Sequence, residues 1–313
     1  MKENKIAVIG LSGESIFMKM DHFNEEGETV IANTYHIEYG GKGYNQAVAA
    51  RRYGAKVSFL TLCGDDEIAN KVQNTLEQEN IKSFVIKRKN KKSASACIMI
   101  DKEGRNRVVC YPGVSSEMTK DDVLLFEEEI KTSKYLLLQL EMSDESLFKA
   151  IELANKYDTL VILNPAPAKK LPKEVVENVY LITPNEHEAK VLFDLDNPMD
   201  IYRLNYKKVI ITLGEKGSII KENDHVYNID SKKVTALNTT GAGDTFCGCV
   251  LYDICKNGLM DRTRESLSEM LMFANAAASI ITTRKGALRV MPQRSEIEEL
   301  INREMKNVSG KNM

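Results

Sequence analysis

Asp244 lies in Asn238-Thr-Thr-Gly-Ala-Gly-Asp-Thr-Phe-Cys-Gly248, just after two glycines separated by one alanine. A turn of this composition lets backbone N–H groups converge. The small and apolar residues that follow (Cys247, Gly248, Val250, Leu251, Ile254) predict a helix starting at the turn. The first amides of a helix lack partners and its dipole is positive there, so such a turn is an anion site. A carboxylate in an anion site repels phosphate unless it takes a proton from a substrate hydroxyl. Donors for a moving phosphoryl group beside a base for the attacking alcohol are the requirements of phosphoryl transfer. The plain alternative is a capped helix after a turn.

Other segments offer complementary groups. Gly40-Gly41-Lys42-Gly43-Tyr44-Asn45 precedes the Ala-rich run to Ala50. Its glycines permit close backbone approach, and Lys42 and Asn45 can hydrogen-bond hydroxyls. The spacing matches neither GxxxxGK[ST] nor GxGxxG. In Thr183-Pro-Asn185-Glu-His-Glu188, Asn185 and Glu188 are three apart on a nascent helix. They share a face, either to hold Mg²⁺ through waters or simply to cap the helix. Thr212-Leu-Gly214-Glu-Lys-Gly217 ends an apolar run with two glycines, where backbone can approach a nucleotide or make a β-turn. Glu141 closes the run Leu136–Leu140 at a strand end, and Asn164-Pro-Ala-Pro-Ala168 is a rigid strand-end loop that shapes a crevice.

The elements that must position these groups follow from periodicity. Nearly continuous apolar runs at Ile6–Leu11, Val57–Thr61, Tyr135–Leu140, Leu160–Leu163, Tyr180–Thr183 and Lys208–Leu213 suit strands buried on both faces. Helical patterns alternate with them: 43–53, 67–79, 121–131, 144–156, 186–192, 244–256, 264–283 and 293–305. The expected fold is α/β, a doubly wound, mostly parallel sheet with helices on both faces. Two stretches alternate apolar and polar residues instead, about 12–40 and 93–112, with Asp101-Lys-Glu-Gly104 as a hairpin turn. They predict a small β-sheet lid over the crevice, inserted in one domain spanning 1–313. Its open face needs a cover of substrate, a partner lid, or both.

Composition narrows the function classes. The 313 residues are 43% hydrophobic and 28% charged, ordinary values for a globular protein. A net charge of −2 argues against a nucleic-acid partner. The basic run Lys87-Arg-Lys-Asn-Lys-Lys92 reads as a solvated loop between strands. No apolar run is long enough for a bilayer, and no signal-peptide pattern opens the chain. Six cysteines without a CxxC pair suit reduced, mostly buried thiols in a cytoplasmic protein, and four scattered histidines lack metal-ligand spacing.

Taken together, these segments resemble the ribokinase-like (PfkB) family of carbohydrate kinases, from Ile6 to Pro292. The similarity rests on Gly40–Ala50, Leu163–Ala168, Thr183–Glu186, Val209–Gly214, Gly241–Phe246 and Thr283–Ala287 in order. It implies a doubly wound α/β fold with a β lid, frequently paired into a homodimer. It implies transfer of the ATP γ-phosphate to a sugar hydroxyl with Mg²⁺. Asp244 then corresponds to the catalytic base and the amides of Thr240, Gly241, Ala242 and Gly243 to the anion hole. Gly41, Lys42, Asn45 and Glu141 fall on sugar-binding positions, and Asn185 and Glu188 on the metal–phosphate element. Thr212, Gly214 and Gly217 fall on the nucleotide loop, and Asn275 on the adenine pocket.

Three departures qualify the resemblance. Gly13 stands where the family carries a sugar-gripping Asn, and Ser15 where it carries Asp. A charged hydrogen bond is worth about 1.5–3 kcal/mol. Its loss weakens the grip on ribose and raises an alternative acceptor: another pentose, a ketohexose or a nucleoside. Asn238 and Val290 replace Asp and Ser at positions implied for a monovalent cation, which removes the acidic ligand expected for K⁺. Two other classes remain to be distinguished: a sugar sensor without turnover, which needs no Asp244, and a dinucleotide oxidoreductase. The oxidoreductase requires a phosphate fingerprint that Gly10-Leu-Ser-Gly13 lacks.

Overall fold

A computed structural model describes residues 2–206, 208–258 and 262–309, with side chains as far as Arg303. In chain order the strands are β1 (Glu3–Ile9), β2 (Gly13–Lys19), β3 (Thr34–Gly40), β4 (Lys56–Gly64), β5 (Lys82–Arg88), β6 (Ala94–Ile100) and β7 (Asn106–Tyr111). They continue with β8 (Ser133–Leu138), β9 (Leu160–Leu163), β10 (Leu181–Ile182), β11 (Lys208–Thr212), β12 (Ser218–Glu222) and β13 (His225–Ile229). Among the described residues, nine strands form one sheet in the order β13-β12-β11-β10-β9-β8-β1-β4-β5. Pairing is parallel from β5 to β11, and β12 and β13 add antiparallel at one edge.

Burial on both faces explains the continuous apolar runs. In β1, Ile6 and Val8 join one core cluster while Ala7 and Ile9 join the other. In β8, Tyr135 and Leu137 face the first cluster and Leu136 and Leu138 the second. The first cluster holds the helices Lys42–Arg52, Ala242–Asn257 and Arg264–Thr282, and the second holds Asp144–Lys156. Strand order reverses between β1 and β8, and ligands bind such sheets outside the carboxyl ends at this switch point.

A separate four-stranded sheet has the order β3-β2-β6-β7. It joins the two alternating stretches, with Gly104 closing a turn onto the Asp101 carbonyl at 3.0 Å. Its register aligns Glu38, Ser15, Ala96 and Cys110 in one row across the strands.

Several elements differ from the sequence reading. The helix expected over 121–131 is two helices, Lys120–Leu124 and Glu127–Thr132. The break lets Phe126 enter the core while Leu125 stays exposed. The helix expected from Asp244 starts two residues earlier, at Ala242. Strand β5 takes in Lys87 and Arg88 from the basic run, and β12 and β13 were not anticipated. All six cysteines are free, though Cys97 is only half-buried and Cys110 exposed. No described helix is long and apolar enough to cross a membrane.

Candidate active site

Asp244 occupies the first turn of the Ala242–Asn257 helix. The cap residue, Gly241, has φ +80°, a left-handed conformation that favours glycine, and offers no side-chain cap. The Thr240 N–H donates to Asn238 Oδ1 at 3.0 Å, and the Ala242 N–H to the Thr239 carbonyl at 3.3 Å. Among the described residues, the Gly241 and Gly243 N–H groups find no acceptor. The predicted four-amide cradle therefore divides into two open donors and two that brace the turn. A Cβ at Gly243 would meet open space, so the cradle faces the crevice.

The carboxylate of Asp244 is held from the neighbouring helix. Asn45 Nδ2 donates to Oδ2 and Gln46 Nε2 to Oδ1, both at 2.9 Å. Gln46 also donates to Asn164 Oδ1 at 3.0 Å and accepts from Gln139 Nε2 at 2.9 Å. Asn164 donates in turn to the Thr183 carbonyl at 2.8 Å. This amide network ties the base to the ends of β8 and β9. Its geometry depends on close helix packing one turn below. A Cβ at Gly248 would lie 2.3 Å from Ala49 Cβ, so glycine there lets the two helices approach.

Charge concentrates around Lys42. Burial alone would lower its pKa, but Asp244, Glu141 and Glu188 outweigh burial and raise it. Burial raises Asp244 above the usual carboxylate range, opposed by Lys42, Asn45 and Gln46. Burial pushes Glu141 up to about 7, against the Lys42 charge and the Lys42 backbone N–H that donates to it at 3.0 Å. Glu188 is raised by burial, against the Asn185 N–H and Lys42.

Asn185 and Glu188 form a complete capping box. Asn185 Oδ1 accepts from the Glu188 N–H at 2.8 Å. Glu188 Oε2 accepts from the Asn185 N–H and Oε1 from Asn185 Nδ2, both at 2.9 Å. The capping alternative is thus realised, while both side chains also line a ≈ 230 Å³ cavity with Lys42, Asn164, Gly241 and Asp244. An adjoining cavity of ≈ 1330 Å³ is lined by Asn185, Thr212, Gly214, Gly217, Gly243 and Asn275. Each of these six was singled out from sequence. Gly217 lies against backbone, since a Cβ there would be 2.1 Å from the Ile229 carbonyl. Asn275 is buried, and its amide donates to that same carbonyl at 3.0 Å.

The small sheet bounds the opposite side. A Cβ at Gly13 would be 2.3 Å from the Ala94 carbonyl, so the backbone here admits no side chain at this position. Gly41 likewise packs on the Leu11 carbonyl. Ser15 Oγ lies beside Gly40, as does the Asn45 amide. Glu14 is half-buried and accepts from Ser95 Oγ at 3.4 Å on the other face of the sheet, so it supplies no carboxylate in place of Ser15. The sequence reading assigns no role to Gln46, although it lies within Gly40–Ala50, nor to Gln139.

Known proteins resemble this chain in sequence and fold. The family model described as pfkB family carbohydrate kinase matches residues 3–294. A ribokinase from Haemophilus influenzae is 33% identical over 306 residues, covering 95% of this chain and 98% of its own. A deoxyribokinase from Salmonella typhimurium is 30% identical over 310 residues, covering 95% and 98%. The structure of Arabidopsis thaliana ribokinase complexed with ribose and ATP superposes with a TM-score of 0.80 at 25% identity, covering 96% of this chain and 99% of that one. The chain belongs to the pfkB family of carbohydrate kinases.

Proposed function

We propose that this carbohydrate kinase transfers the ATP γ-phosphate to a hydroxyl of a small sugar, with Asp244 as general base. The carrying observation is the Asp244 carboxylate clamped by Asn45 and Gln46 directly beside the open Gly241 and Gly243 amides. The clamp aims the carboxylate, and Lys42, Asn45 and Gln46 oppose the burial that raises its pKa. As the sugar oxygen attacks, Asp244 takes its proton, and the two amides and Lys42 meet the charge on the transferred group. The larger cavity suits the nucleotide, with its phosphates toward the smaller one.

Mg²⁺ fits the donor set here only in a water-mediated form. Each Glu188 oxygen already accepts one hydrogen bond and keeps a lone pair free, and the side chain lines the smaller cavity. No cluster of three or more His, Cys, Asp or Glu side chains suited to a metal occurs among the described residues. Asn185 and Glu188 would therefore hold the ion through waters, as Mg²⁺ prefers. When bound, it would neutralise phosphate oxygens.

The four-stranded sheet acts as the lid over the sugar, within one catalytic unit. On one face of it Tyr35, Ile37, Val109 and Tyr111 are exposed. An apolar β face of this kind supports pairing of two lids in a homodimer. Activity is independent of K⁺. Asn238 is neutral, its Nδ2 donating to the Gly286 carbonyl at 3.2 Å and its Oδ1 accepting from Thr240.

The acceptor is a sugar held on the lid side by a hydroxyl rather than a carboxylate. Gly13 contributes no side chain and Ser15 only its Oγ. A second reading, favoured by that same substitution, is a nucleoside or ketohexose acceptor. Purified enzyme with ATP and Mg²⁺, assayed for ADP release on D-ribose, 2-deoxyribose, other pentoses, fructose and nucleosides, tests both. A strong preference for D-ribose overturns the inference from Ser15, and no turnover on any of them overturns the kinase assignment.

A further inference from the structure

Glu38 has no part in the chemistry above, yet it is among the most sequestered groups of the lid. Its neighbours Tyr35 and Ile37 on β3 are exposed, while Glu38 is 7% exposed. Its Oε2 accepts from the Ala287 N–H at 3.0 Å, which joins the lid to a loop of the main body. The other oxygen, Oε1, is buried without a hydrogen bond. It lies 3.4 Å from His36 Nε2 and 3.9 Å from Arg289 Nε. Gly286 makes this approach possible, since its φ is +132° and a Cβ there would come within 2.7 Å of Oε1. Apolar contact seals the joint, with Phe17 and Ile98 of the lid packed on Ala287 and the His36 ring stacked on Phe17.

The Ala287 N–H and the Gly286 carbonyl belong to one peptide group. Glu38 accepts from its N–H, and Asn238 Nδ2 donates to its carbonyl at 3.2 Å. In a trans peptide these groups point in opposite directions, so the unit is gripped from both sides. Asn238 then accepts from the Thr240 N–H, and Gly241 lies against Ala287, which is 3.6 Å from the position of a Cβ at Gly241. A carboxylate acceptor polarises a peptide and strengthens the bond on its far side. We propose that the Gly286–Ala287 peptide is a clamp through which Glu38 of the lid sets the geometry of the phosphate cradle, making Glu38 a positioning residue for phosphoryl transfer. Lid docking and cradle order are then a single event. Its kinetic consequence rests on the kinase reading, and the clamp itself does not.

Hydrogen-exchange mass spectrometry on the full chain, with peptides covering 284–290 and 236–246, tests the clamp without any substrate. Glu38→Ala is expected to speed exchange about tenfold in both segments, and Glu38→Gln, which keeps an acceptor, is expected to restore most of the protection. Asn238→Ala should loosen the same two segments from the other side. Faster exchange in 284–290 with 236–246 unchanged would overturn the coupling. The kinetic arm uses D-ribose, 2-deoxyribose and ATP with Mg²⁺. Wild-type turnover tests the kinase reading. With turnover, Glu38→Ala should lower kcat about tenfold, leave the sugar KM within about twofold, and be partly rescued in Glu38→Gln. Loss confined to sugar KM, or kcat unchanged with intact folding, would overturn the positioning role.

Discussion

Gln46 offers the sharpest test of how the base is tuned. It is fully buried and donates to Asp244 Oδ1 at 2.9 Å. A hydrogen bond to a charged group is worth about 1.5–3 kcal/mol, and one pKa unit corresponds to about 1.4 kcal/mol. Gln46→Ala removes a donor that favours the ionised carboxylate, so the Asp244 pKa should rise by about 1–2 units. Asp244 works deprotonated, so activity falls as pH drops through its pKa. The acid limb of the kcat/KM profile should therefore move to higher pH by that amount, with much of the activity regained in alkaline buffer. The assay is ADP release on the best sugar from pH 5 to 9. An acid limb that stays in place while activity falls equally at every pH would show that Gln46 merely supports packing.

The remaining predictions concern neighbouring parts of the same site. Glu141 has a raised folded-state pKa of about 7, so its burial favours the protonated fold at low pH and is opposed as pH rises from its unfolded value to about 7. Glu141→Gln should flatten the fall in melting temperature across that window, measured by scanning calorimetry, and an unchanged slope would contradict the burial argument. Gly248→Val should force the two helices apart, costing about 1–3 kcal/mol of stability and more in turnover, because Asn45 then loses Asp244. Retained kcat in a folded Gly248→Val would contradict that geometry. Turnover in NaCl should equal that in KCl, and a clear K⁺ requirement would refute the role given to Asn238. Val109→Glu, on the exposed lid face, should convert a dimer to monomer in analytical ultracentrifugation, and a wild-type monomer would refute lid pairing.

Much of this was legible in the sequence because burial on both faces writes itself as unbroken apolar runs. The runs in β1, β8, β9 and β11 appear at their observed places for that reason. The strands β12 and β13 escaped notice because they lie at the antiparallel edge, interrupted by Lys221, Glu222 and the turn at Asn223. The glycine-bearing nucleotide segments were readable as close-approach signals, and six predicted residues line one cavity. Gln46 and Gln139 were silent because a buried amide network depends on tertiary partners about 90 residues or more apart, which no local pattern encodes. Asn185 and Glu188 show the opposite case. A single spacing served both a capping box and a cavity wall, and sequence could not separate the two.

The central claim is that Asp244 takes the proton of the attacking hydroxyl. Asp244→Asn keeps the side chain's size and a hydrogen-bonding oxygen while removing the base. Measured as kcat on the best sugar of the panel, turnover should fall about 10²–10⁴-fold, with melting temperature and ATP binding close to wild type. A variant that turns over within a few-fold of wild type on that sugar would contradict the account.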